Sequence, residues 1–263
     1  MTKVRPNKIL GQHFLICEWV LPELAKAAEL TRNDVALEIG PGTGVLTHFL
    51  ATRAKKVIAV EKDRELSALL LAALTNEKVS SVEIVGKDIL RFDFSILPNV
   101  YKVVANIPYY LTARLIRMLL ELKNKPEVIV LTIQKEVAER IVAQPPDMNI
   151  LALSVQSYGT PEIIADVPAS CFSPQPKVDS SILKISNLSA DFFVKHRIKP
   201  QYFFATLKAG FSSRRKVLTN NLQSFAPKKE LAKILLSIGH LPTARAQELS
   251  LEDWARFVRL LLR

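Results

Sequence analysis

The chain has 263 residues, with 36 lysines and arginines against 25 aspartates and glutamates and a formal charge of +11. Apolar residues at 49% and charged residues at 23% exclude a disordered or collagen-like chain. The longest apolar run, Ala68 to Leu74, is far short of the ~20 residues a spanning helix needs, and Met1 to Pro6 lacks a secretory stretch.

The first predicted strand is Val35 to Ile39. It is followed by a glycine cluster and a helix with Leu46, Phe49 and Leu50 inward. Val57 to Val60 is a second strand and Glu65 to Leu74 a helix of strong formers. Val82 to Val85, Lys102 to Ala105 and Val128 to Thr132 continue the series. Short β-branched runs separated by amphipathic helices predict a parallel sheet with helices on both faces. After Pro145-Pro146 the spacing changes. Leu151 to Tyr158, Ile163 to Val167 and Ser181 to Ile185 read as late strands forming an antiparallel edge. Asn187 to Asp191 is the expected boundary, giving domains over 1–186 and 187–263. Beyond it, helices are predicted over Gln201 to Phe211, Arg214 to Leu222, Lys228 to Ile238 and Leu251 to Leu262, the last opened by a capping box of Ser250 and Asp253.

Charge follows that division. Residues 184–263 hold 15 basic and five acidic side chains, and residues 1–183 hold 21 and 20. A block of that kind favours a polyanion such as nucleic acid over an anionic membrane surface or a generic solubilising face. The two cysteines, Cys17 and Cys171, cannot by themselves make a disulfide framework or a zinc cluster. A cytoplasmic protein without structural metal is therefore expected.

Leu37-Glu38-Ile39-Gly40-Pro41-Gly42-Thr43-Gly44 lies at a strand-to-helix junction, where glycines let the chain turn sharply and a ligand approach closely. Glu61, at the end of the second strand, is placed to accept both hydroxyls of an adenosyl ribose. The dinucleotide fingerprint needs a small residue where Val45 stands, so a nicotinamide dehydrogenase is disfavoured. The G-x-G-x-G pattern resembles the first motif of the S-adenosylmethionine-dependent methyltransferases. That likeness places Asp88, otherwise a helix cap, against the cofactor's adenine. Directly after the fourth strand comes Asn106-Ile107-Pro108-Tyr109. An adenine amine is a poor nucleophile because its lone pair is delocalised into the ring. Acceptors on its hydrogens, from the Asn106 side chain and the Ile107 carbonyl, favour a pyramidal nitrogen. Pro108 fixes the turn, and Tyr109 offers a face for an extruded base.

The chain resembles the KsgA-type ribosomal RNA adenine dimethyltransferases throughout its length. The matching stretches are Lys8 to Leu15, Leu37 to Gly44, Val60 to Asp63, Asn106 to Tyr110, Gln134 to Arg140, Phe172 to Pro174 with Pro176 to Ser180, and Phe211 to Lys216. The resemblance implies a class I methyltransferase fold, Rossmann-like, with a mostly parallel seven-stranded sheet and an antiparallel edge, followed by a small helical domain. It implies S-adenosylmethionine as cofactor and dimethylation of two adjacent adenines in the 3′-terminal hairpin loop of 16S rRNA on the assembling small ribosomal subunit. The protein is expected to act as a monomer with no membrane partner.

Particular roles follow from the same likeness. His13 and Leu15 would lie over the cofactor, Gly40 and Gly42 along it, Glu61 on its ribose, Asp88 on its adenine, and Asn106 near the transferred methyl. Phe172 would supply a second aromatic face for the base, and Arg214, Arg215 and Lys216 would contact RNA phosphates. His13 departs from the family, which usually has Asn there. The competing functions are a large-subunit rRNA dimethylase of the antibiotic-resistance type and an RNA-binding assembly factor whose catalysis is secondary.

Overall fold

The computed structural model describes residues 11–262; Lys8 to Leu10 of the first matching stretch lie outside the described residues. The chain divides into two compact units: residues up to 138 with 161–188, and residues 139–160 with 189 onward. The sequence reading gave 139–160 to the catalytic domain, whereas in the structure this segment packs with the helical unit.

The first unit is built on a sheet of seven strands in the order β4-β3-β2-β5-β6-β9-β7. These are β2 (Val35–Ile39), β3 (Lys56–Val60), β4 (Val82–Val85), β5 (Lys102–Asn106), β6 (Val128–Gln134), β7 (Thr160–Val167) and β9 (Ser180–Ser186). The pairs β2–β3, β3–β4, β2–β5 and β5–β6 are parallel, and β6–β9 is antiparallel. The near-continuous apolar runs of β5 and β6 suit strands covered on both faces, and Val103, Val104, Ala105, Ile129, Val130 and Leu131 are fully buried. The intervening helices are α2 (Val45–Ala51), α3 (Arg64–Asn76) and α4 (Thr112–Glu121). In α4, Leu115, Ile116, Leu119 and Leu120 fall on one buried face, at the spacing an amphipathic helix requires.

A two-residue strand, β1 (Phe14–Leu15), precedes α1 (Val20–Ala27) and pairs antiparallel with β8 (Phe172–Ser173). Beside this pair Cys17 and Cys171 form a disulfide across 154 residues, with Cα atoms 4.9 Å apart. A single bridge between positions so distant leaves no spacing signature.

The second unit contains α6 (Ile150–Gln156), α7 (Asp191–His196), α8 (Pro200–Gly210), α9 (Leu218–Asn221), α10 (Lys228–Ser237) and α11 (Leu251–Leu261), while α5 (Lys135–Ile141) runs into it from the first. The predicted strand at Leu151 to Tyr158 is helix α6. Asn149 caps it by accepting the Ala152 N–H at 3.0 Å, and Ala152, Leu153 and Val155 enter the core. A short apolar run cannot be told from a buried helix by periodicity alone. Helix α11 opens with the Ser250–Asp253 capping box, in which each side chain accepts the other's backbone N–H at 3.1 Å. Such a cap contributes about 1 kcal/mol. Trp254, fully buried, donates its indole N–H to the Ala246 carbonyl at 3.2 Å and lies against Gly210, where a Cβ would approach its ring to 2.5 Å. Among the described residues no helix is long and apolar enough to cross a membrane, and no cluster of three or more His, Cys, Asp or Glu could hold a metal ion.

Candidate active site

Strand order reverses between β2 and β5, and doubly wound sheets bind ligands at the carboxyl ends of strands at that point. Ala36 pairs with Lys102 and Leu37 with Val103, so continuing the register sets Gly40 alongside Asn106. A cavity opens there, entirely within the first unit.

Its floor is the glycine turn. Gly40, Gly42 and Gly44 have φ of +69°, +58° and +85°. At Gly42 a Cβ would stand 3.0 Å from two ring carbons of Phe14, and at Gly44 it would collide with the Leu70 side chain. Sterics thus demand glycine twice over at these positions, by conformation and by packing. Glu61 braces the turn from beneath: its Oε2 accepts the Gly42 N–H at 3.1 Å and its Oε1 the Asp63 N–H at 2.9 Å. Burial raises the Glu61 pKa, and those two amides oppose the rise. Each carboxylate oxygen keeps a lone pair for a further donor, so the side chain can accept two more hydrogen bonds.

Glu38, in the adjoining wall, is a residue the sequence reading did not single out. It is 1% exposed, and neither its Oε2 nor the Thr47 hydroxyl has a hydrogen-bond partner. Burial pushes its pKa up to about 8; the nearby Thr47 hydroxyl works against this and the Glu61 charge adds to it. A carboxylate inside an otherwise apolar strand, Val-Ala-Leu-Glu-Ile, is the signal that could have found it. The open glycine cradle and this orphaned carboxyl oxygen together fit a polar nucleoside ligand, to which the neutral carboxyl offers hydrogen bonding rather than charge.

Asp88 lines the same cavity. It accepts the Leu90 N–H at 3.0 Å, capping a short 3-10 turn, and pairs with Lys62 Nζ at 3.0 Å. Its burial favours the neutral form, but the Leu90 amide and Lys62 outweigh it and its pKa falls.

At the end of β5, the Asn106 Nδ2 donates to the His13 carbonyl at 3.2 Å. That bond uses one of the amide's two N–H donors and sets its orientation, with Oδ1 directed away from the His13 carbonyl as an acceptor. Ile107 is buried, and the ring of Pro108 lies 3.7 Å from where a Gly40 Cβ would be, so the Asn106–Tyr109 segment and the glycine turn lie side by side. Tyr109 is half-buried; its hydroxyl bonds Ser180 Oγ at 2.8 Å and its ring stacks on His13 at 5.5 Å between centroids. His13 Nδ1 in turn bonds the Pro174 carbonyl at 2.7 Å. Leu15 and Phe172, backbone partners across β1 and β8, both line the cavity although they are 5% and 3% exposed. Phe172 is therefore also a core residue, packed with Leu15, Val20 and Cys171.

All the expected cofactor and base-binding positions, from His13 to Phe172, thus border one cavity. The basic trio lies in the other unit. Arg214, Arg215 and Lys216 are exposed, but not on the predicted helix; they occupy a turn ahead of α9. Asn221 holds that turn by donating to the Gly210 and Ser213 carbonyls at 2.6 and 3.0 Å. Released from a helix's 100° spacing, three adjacent cations can all face solvent. The unit that bears them has 15 basic and seven acidic residues.

A family profile described as ribosomal RNA adenine dimethylase matches residues 4–262. The chain is 42% identical to ribosomal RNA small subunit methyltransferase A of Dehalococcoides mccartyi, over 95% of this chain and 87% of the relative. It is 39% identical to the enzyme of the same name in Nostoc sp., over 98% of each. Among solved structures, a dimethyladenosine transferase from Plasmodium falciparum superposes with a TM-score of 0.80 at 26% identity, covering 93% of this chain and 96% of that one. The 23S rRNA methyltransferase ErmE, at 24% identity, shares the fold with a TM-score of 0.75, covering 95% of this chain and 100% of that one.

Proposed function

The chain belongs to the ribosomal RNA adenine dimethylase family, and from that premise we propose that it dimethylates two adjacent adenines in the 3′-terminal hairpin loop of 16S rRNA, on the assembling small ribosomal subunit. It is an S-adenosylmethionine-dependent enzyme, and the protein acts as a monomer in the cytoplasm. The observation that carries this reading is the convergence of the glycine turn, Glu61 and the Asn106–Tyr109 segment on one cavity.

When bound, S-adenosylmethionine supplies a methyl group already activated by a sulfonium. The protein therefore needs no strong base, and its contribution is position and electrostatics. Glu61 holds the ribose while its bond to Gly42 keeps the turn open, and Asp88 faces the adenine. Asn106 Oδ1 and the Ile107 carbonyl accept from the target amine, favouring a pyramidal nitrogen whose lone pair is withdrawn from the ring's conjugation. Tyr109 and Phe172 confine the base, with Pro108 fixing the bend between strand and aromatic. His13 and Leu15 form the wall over the cofactor. Arg214, Arg215 and Lys216 neutralise RNA phosphates away from the chemistry.

The test is methyl incorporation from labelled cofactor into undermethylated small subunits, with mature subunits and naked rRNA as controls. Primer extension on both rRNAs of a deletion strain locates the modification. Loss of a stop near the small-subunit 3′ end supports the proposal. An unchanged pattern there rejects it in favour of a large-subunit target.

A further inference from the structure

We propose that Ser180 is a positioning residue for methyl transfer, fixing the axis and depth of the Tyr109 ring through a buried hydrogen bond while its neighbour Asp179 sets the turn that carries Phe172. The inference deepens the function proposed above and rests on it. Ser180 is fully buried at the start of β9, so it touches no substrate. Its Oγ lies 2.8 Å from the Tyr109 hydroxyl, across 71 residues of sequence. One position earlier, Asp179 Oδ1 accepts the Ala169 N–H at 2.8 Å, at the start of the short 3-10 turn that ends in Cys171 and delivers Phe172. The Asp179 carbonyl meanwhile accepts the Lys135 N–H at 3.0 Å, fixing this pair of residues to the end of β6.

Two aromatic faces that must flank one base are thus referred to the same dipeptide. The phenol oxygen lies on the axis about which the ring turns, so its bond to Ser180 fixes where that axis stands, while the stack on His13 at 5.5 Å limits rotation about it. Burial keeps that hydroxyl a neutral phenol, raising its pKa against the effect of the Ser180 bond.

The consequence grows between the two transfers. An adenine amine offers two hydrogens to Asn106 and Ile107, but a monomethylated amine offers one. Base stacking then carries more of the orientation, so loosening Tyr109 penalises the second methylation more than the first.

The experiment is a double-mutant cycle of Ser180→Ala and Tyr109→Phe. Single-turnover methylation of undermethylated small subunits is read by separating monomethyl- from dimethyladenosine, with cofactor affinity measured by calorimetry. Each single variant should slow transfer roughly five- to tenfold, the scale of one hydrogen bond's net contribution. The double variant should be no slower than either, and all three should accumulate monomethyladenosine with cofactor affinity and KM for the subunit unchanged. Multiplicative losses in the double variant, or a Ser180→Ala enzyme with wild-type rate and product ratio, overturn the inference. Should Ser180→Ala fail to fold, the near-isosteric Tyr109→Phe decides alone: slowed second transfer at unchanged KM supports the inference, and wild-type rates overturn it. A wild-type protein that methylates no rRNA overturns the functional reading itself and the positioning role with it, an outcome distinct from an active enzyme whose variants behave independently.

Discussion

Replacing Glu38 by Gln tests the electrostatics of the cavity wall directly. In the unfolded chain this carboxyl titrates near 4.5; in the folded protein burial moves it to about 8. Between those values the folded state holds a proton that the unfolded state has lost. The protonated carboxyl's contribution is therefore present in full below about pH 4.5 and is lost as the pH rises toward 8. At 1.36 kcal/mol per unit, the site costs the wild-type protein about 4 kcal/mol of stability between pH 5 and pH 8.5. Glutamine keeps the shape and removes the titration. Denaturant unfolding of both proteins at several pH values measures the difference in slope, which isolates Glu38 from every other ionisable group. The gap between the variant and wild type should widen by about 4 kcal/mol in the variant's favour over that range. Parallel stability curves would refute the neutral carboxyl.

Glu61→Ala should weaken cofactor binding at least roughly hundredfold, the lower end of the scale for two hydrogen bonds to a charged acceptor, while rRNA binding persists; calorimetry and filter binding separate the two, and unchanged methyl transfer would remove Glu61 from the site. Arg214→Ala with Arg215→Ala should lower rRNA affinity and reduce the magnitude of the slope of log affinity against log salt by about 0.7 per lost contact. An unchanged slope would count against that turn. Under oxidising conditions Cys17→Ser should lower stability by up to about 5 kcal/mol, because the bridge closes a loop spanning 154 residues. In a reducing cytoplasm the two cysteines stay thiols and the loss disappears. Reducing the wild-type protein should reproduce the variant's unfolding midpoint, and a midpoint indifferent to reductant would contradict the bridge.

What could be read along the chain was what the chain writes locally. A strand end followed by glycines, an acidic residue closing the next strand, and Asn-Ile-Pro-Tyr after β5 each announce themselves within a few residues. The sheet then only has to bring those ends together. The features that escaped are matters of tertiary partnership. Residues 150–156 had enough apolar character for either a strand or a helix, and the Asn149 cap with its packing in the helical unit decided it. The Arg214–Lys216 turn depends on Asn221, whose amide reaches back to two carbonyls. The Glu38 pKa is set by burial among neighbours on other elements, and the Tyr109–Ser180 bond joins residues 71 positions apart.

The bond from Asn106 Nδ2 to the His13 carbonyl bears on which bases the pocket admits. In the proposed reaction the amide, oriented by that bond, turns its oxygen to the target. Adenine meets it with an amino group. Guanine or hypoxanthine would set a keto oxygen against it, acceptor facing acceptor. On the proposed function, discrimination between six-amino and six-oxo purines would rest on the orientation of one side-chain amide, held by a backbone carbonyl 93 residues away.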